Sequence, residues 1–120
     1  NVRALIEEGL SHPATRYDTA QEVSGKLADQ IDRALSGTRC FLTPATTSLP
    51  PNADTTGDPA FNSPWSFTGH PTISLPYAFS VDGLPLGAQL VGSSMCEDDL
   101  FVAAARLERI AAFDRRPLPL

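Results

Sequence analysis

Apolar positions set the reading frame of this chain. Tyr17, Ala20, Val23, Leu27, Ile31 and Leu35 recur at spacings of three and four, one stripe of an amphipathic helix. Thr15, with Asp18 three residues on, predicts its start, and Gly37 its end. Gly25 inside that stripe costs about 1 kcal/mol relative to alanine, so a close approach of another element is expected there. Val2, Leu5 and Ile6 give a shorter helical pattern that Gly9 closes. A last helix starts at the acidic run Glu97-Asp98-Asp99, favourable at the positive end of a helix dipole, and carries Leu100, Ala103, Ala104, Leu107 and Ile110 on one face.

Between the helices the pattern changes. Arg39–Thr43, Thr72–Leu75 and Gly87–Val91 are short runs of apolar or small residues, as strands buried on both faces are. Asp82-Gly83 predicts a turn before the last of them, and Phe61–Thr68 a short helix with Pro64 tolerated in its first turn and Gly69 at its end. Ala45 to Pro59 is a loop rich in Thr, Pro, Asn and Asp; structureless loops this long are often functional. Phe113 to Leu120 forms a proline-containing tail. Standing alone these elements would make a thin domain; strands buried on both faces need more helical cover than the chain supplies, so residues 1–120 read as a fragment of one larger domain.

Composition narrows the function. A net charge of -5 and the absence of a Lys/Arg cluster argue against a nucleic-acid partner. No apolar run approaches a membrane span, and two cysteines, Cys40 and Cys96, in no metal-like spacing make a reducing, cytoplasmic setting the expectation. The first residue is Asn1 rather than Met and the chain opens directly into a helical pattern, which favours a truncated product.

Amide or ester hydrolysis needs an activated nucleophile, a base and oxyanion donors. The sequence holds no G-x-S-x-G elbow and no S-x-x-K. Ser93-Ser94 follows Gly92 between a strand and the last helix, where serines serve turns and caps. Lys26, the sole lysine, sits mid-helix as a solvated, pair-forming residue, and His12 and His70 lack a second ligand at metal spacing. No catalytic residue, metal site or cofactor is assigned.

Phe41–Pro51 (FLTPATTSLPP), Thr56–Pro76 (TGDPAFNSPWSFTGHPTISLP) and Asp82–Gly92 (DGLPLGAQLVG) follow one another in the order of the C-terminal part of the amidase signature family, and the closing RRPLP is similar to family C-termini. The resemblance covers nearly the whole chain, and DGLPLGAQLVG is its most specific string. It implies an α/β fold with a large mixed central sheet covered by helices. It also implies a serine hydrolase of carboxamides using a Ser–cis-Ser–Lys triad that lies upstream of the matched region, with neither metal nor organic cofactor. No position here inherits a triad role. By position, Asp58, Phe61, Asn62, Trp65 and His70 are the candidates for a substrate-pocket wall; taken singly, core packing for Phe61 and Trp65 and helix capping for Asp58 are the competing readings. His70 stands where some relatives carry leucine or valine, which leaves a change of substrate preference open. The implied partners are the upstream portion of the amidase and a small amide. Two alternatives stay open: the A-type subunit of a tRNA-dependent amidotransferase, and a non-catalytic module that docks or forms a homodimer through exposed sheet edges.

Overall fold

The computed structural model describes residues 2–51 and 54–113. Its elements run α1 (Val2–Ser11), α2 (Ala14–Leu35), β1 (Phe41–Pro44), α3 (Ser63–Thr68), β2 (Thr72–Phe79), β3 (Pro85–Val91) and α4 (Glu97–Ala111). The architecture is α/β. The three strands form one sheet in the order β1-β3-β2, and both pairings are antiparallel, so the described sheet is not itself mixed. The RRPLP string and the tail beyond Phe113 lie outside the described residues, as do positions 52 and 53 of the long loop.

Several local expectations are revised. α2 starts at Ala14, after an extended Pro13 (φ -67°, ψ 148°) whose carbonyl accepts the Arg16 N–H at 2.9 Å. Thr15 is therefore already helical, and the first turn has no side-chain cap. Gly9 does not end α1; the helix continues to Ser11, whose hydroxyl donates to the Glu8 carbonyl at 2.6 Å. Gly25 meets no other element, since a Cβ there would have nothing within 4 Å. At the other end of α2, Ser36 is the cap and Gly37 follows in the left-handed region (φ 84°) that glycine adopts without strain. The first turn expected of a helix from Phe61 is instead a tight turn. The Pro59 carbonyl accepts from both Asn62 and Ser63, and α3 proper begins at Ser63.

Only β3, the central strand, is buried on both faces. β2 alternates half-buried and exposed positions through Thr72–Leu75, because it is an edge strand with one covered face. On one face Leu90, Leu100 and Ala104 form the core, flanked by Cys40, Ile73, Leu75, Ala103 and Leu107, so α4 supplies that cover. On the other, Gln89 and Val91 point away from α4, and the α2–α3 pair lies on that side, tied together by the Ser24 hydroxyl donating to the Phe67 carbonyl at 2.7 Å. The Asp82-Gly83 turn forms as expected: Ser80 and Leu84 close it, with the Ser80 N–H donating to the Leu84 carbonyl at 2.8 Å.

Of the three strand prolines, Pro85 opens β3, and Pro44 and Pro76 avoid a ladder penalty within β1 and β2. Ala45 N–H donates to the Gly87 carbonyl and Gly92 N–H to the Pro71 carbonyl, which fixes the alternation along each pair. By that alternation Pro44 and Pro76 turn their missing N–H groups outward from the sheet. Among the described residues no helix is long and apolar enough to cross a membrane.

Candidate functional site

The five candidate residues follow one another through the approach to α3 and its exit. Asp58 is exposed, and its Oδ1 accepts the Ala60 N–H at 2.9 Å. It caps this local turn rather than α3, whose N-cap position is Asn62 with no capping side-chain bond. Asp58 also lines a groove of about 320 Å³, open between the loop segment 45–51 and Pro85–Gly87. Asn62 reaches back across the base of that loop, its Nδ2 donating to the Ala45 carbonyl at 3.4 Å.

Phe61 and Trp65 are half-buried, in keeping with the packing reading. The Phe61 carbonyl accepts from Gln89 Nε2 at 2.7 Å, which seats the turn before α3 on the sheet. The Trp65 indole N–H is buried and has no acceptor among the described residues. His70 does not reach the groove: its side chain is 0% exposed. Its Nδ1 lies 2.8 Å from Thr68 Oγ1. The same Thr68 hydroxyl lies 2.9 Å from the Pro64 carbonyl, to which it donates. His70 Nε2 faces Asp32 Oδ1 at 3.4 Å without a hydrogen-bond partner, while Asp32 Oδ1 accepts the Ser94 N–H at 3.1 Å. His70 is thus a junction between α2, α3, β2 and the loop entering α4.

The structure therefore splits the five. Asp58 borders the open groove, Asn62 braces the loop behind it, and Phe61, Trp65 and His70 fix α3 to the sheet and to α2. Sequence reasoning missed Gln89 and Thr43. They sit opposite each other on β3 and β1, and Ser74 stands opposite Gln89 on β2, so a polar row crosses the sheet beneath the Phe61 turn. Gln89 is 1% exposed, and Thr43 Oγ1 is buried without a partner among the described residues. The signal available was a glutamine inside the apolar run Leu86–Val91.

Neither Lys26 nor Ser94 joins a nucleophile–base pair. Lys26 Nζ lies 3.8 Å from Glu22 on the exposed side of α2, and Ser94 engages Asp32 through its backbone. Burial pushes the Cys40 thiol up, which disfavours the reactive thiolate. Among the described residues no group of three or more His, Cys, Asp or Glu side chains is placed to hold a metal ion.

No family model matches the chain. It is 34% identical over 109 residues, 84% of its length, to a glutamyl-tRNA(Gln) amidotransferase subunit of Granulibacter bethesdensis. It is 31% identical over 123 residues, 91% of its length, to the putative amidase AmiA2 of Mycobacterium tuberculosis. These alignments take in 22% and 24% of the two relatives, so the chain spans about a quarter of their length. Among solved structures it superposes on the crystal structure of an amidase with a TM-score of 0.80 and 26% identity, covering 91% of this chain and 28% of that one. The matched part is the C-terminal portion of these proteins.

Proposed function

Because the chain belongs to the amidase signature family and matches its C-terminal portion, we propose that it completes the sheet and one substrate-pocket wall of a cytoplasmic enzyme that hydrolyses a small carboxamide. The reaction in this reading passes through an acyl-enzyme formed on a serine upstream of this chain, and uses neither metal nor organic cofactor. Asp58 faces the amide across the groove beside the loop segment 45–51. Asn62 holds that loop through Ala45, while Phe61, Trp65 and His70 form the wall behind it and set where it stands. The observation that carries this reading is the superposition on a solved amidase over nine-tenths of the chain. The test is expression of the complete reading frame and assay against a panel of aliphatic and aromatic carboxamides. Turnover that is abolished by a serine-directed phosphonate, and KM raised severalfold by Asp58→Ala with kcat little changed, are the expected results; absence of hydrolysis on every amide tested would overturn it.

The name of the Granulibacter bethesdensis relative supports a second reading, the A-type subunit of a tRNA-dependent amidotransferase. Glutamine hydrolysis stimulated by an aminoacylated tRNA and by a second protein component would select it over the stand-alone amidase.

A further inference from the structure

The two faces of α4 differ in kind. Leu100, Ala103, Ala104 and Leu107 turn to the sheet and form or flank its core. At the α-helical step, Asp98, Val102, Ala105 and Arg109 lie within about 30° of the opposite direction. All four are exposed, and Phe101 beside them is 62% exposed, so the outer face holds an aromatic ring and a valine in solvent between charged ends.

The order of residues along this face decides what fits it. The four recur at spacings of four, three and four, the period of a coiled-coil seam. The acid stands near the N-terminal end, the base near the C-terminal end, and the apolar pair between them. Asp98 and Arg109 share one midpoint with Val102 and Ala105, between Ala103 and Ala104. Turned end over end about that point, the seam meets its own complement: Asp98 falls opposite Arg109, and Val102 opposite Ala105. A valine against an alanine lets two helices approach closely, and the antiparallel arrangement sets their dipoles favourably. Asp98 and Arg109 have no ionic partner among the described residues. The neighbouring Asp99 is engaged elsewhere, with Arg39 ahead of β1, and stands off the seam.

A patch of one sign would suit any partner of the other sign, and a wholly apolar strip any apolar segment. A seam that complements itself after a half-turn suits a second copy of the same chain, because a two-fold interface uses one patch twice. The contact is narrow. Fifteen helical residues span about 22 Å, a strip too small for the about 800 Å² per partner of a standard interface, so association through it is weak and concentration-dependent.

We propose that the outer face of α4 is a homodimer contact, in which two copies pack this helix antiparallel about a two-fold axis at Ala103–Ala104, with Asp98 and Arg109 forming two symmetric ion pairs around Val102 and Ala105. The test is sedimentation velocity over a concentration series, at low salt, on the protein expressed from its complete reading frame. A concentration-dependent dimer is expected. Asp98→Arg and Arg109→Asp each convert both ion pairs into like-charge contacts and should weaken it about tenfold or more. Mixed in equal amounts, these two variants should recover the dimer, because each presents the opposite charge to the other at both ends. Ala105→Trp leaves every charge in place and should abolish the dimer by holding the helices apart. A protein that stays monomeric at every concentration, or dimerisation that survives any of the three substitutions at full strength, would overturn the proposal. So would a mixture as dissociated as its two components. Amide hydrolysis has no part in this readout, so the contact and the proposed activity stand or fall separately.

Discussion

Gln89 Nε2 donates to the Phe61 carbonyl from a strand position that is 1% exposed, so this bond holds the turn before α3 down on the sheet. Replacing it with leucine keeps the volume but leaves the Phe61 carbonyl without its donor. Gln89→Leu should cost about 1–3 kcal/mol, read as a lower urea midpoint at unchanged slope. Thr68 plays the corresponding part for His70. Thr68→Val keeps the branched shape but removes the hydroxyl that pairs with Nδ1, leaving a fully buried ring with neither nitrogen bonded among the described residues. A loss of about 1–3 kcal/mol is expected for Thr68→Val and well under 1 kcal/mol for Thr68→Ser, which keeps the hydroxyl. Equal unfolding midpoints for the two variants would show that the hydroxyl contributes nothing. Neither partner was legible in the sequence. Gln89 and Phe61 lie 28 positions apart, and their meeting depends on how β3 and the turn before α3 are brought together, which no local pattern encodes.

Among the described glycines, Gly87 on β3 stands in the tightest contact, against the start of the long loop. A Cβ on Gly87 would stand 2.9 Å from Ala45 Cβ, while the Gly87 carbonyl accepts the Ala45 N–H at 3.0 Å. The strand and the loop cannot separate without breaking that bond. Gly87→Ala should therefore cost about 1–3 kcal/mol through overpacking. The double variant Gly87→Ala with Ala45→Gly should recover most of it, a coupling that a double-mutant cycle on chemical unfolding would read directly. Additive losses would place the cost elsewhere. The elements themselves were largely visible: α2, α3 and α4 and all three strands fall where the 3.6-residue and apolar-run patterns put them. What failed were readings that need a neighbour. Thr15 fits a capping motif, but Pro13 ahead of it fixes the entry sooner. The apolar character of Thr72–Leu75 suggested two buried faces, yet its edge position leaves Thr72 and Ser74 exposed. Of the candidate site, the approach to α3 was legible and its division was not, because Asp58 borders the groove beside Pro85–Gly87 while His70, past α3, packs against Asp32 of α2.

Taken whole, the chain is too open for its length. Its radius of gyration is 17.4 Å, against about 14 Å for a compact domain of 120 residues. Tyr17, Val23 and Leu27, half of the stripe that defines α2, remain exposed, as do Val2, Leu5 and Ile6 on α1. A stripe that regular is what a helix uses to face other protein, and half of it stands uncovered here. The chemistry points the same way. Ser94 is engaged through its backbone with Asp32, and Lys26 pairs with Glu22 along α2. The 120-residue chain by itself should therefore show no turnover on carboxamides or esters. It should also take up no serine-directed fluorophosphonate, whereas the protein from the complete reading frame should take up one equivalent, as intact mass would record. Stoichiometric labelling of the short chain would move the nucleophile into these residues. Ser93 or Ser94 would then be the first place to look, and the reading of this segment as scaffold and pocket wall would fall.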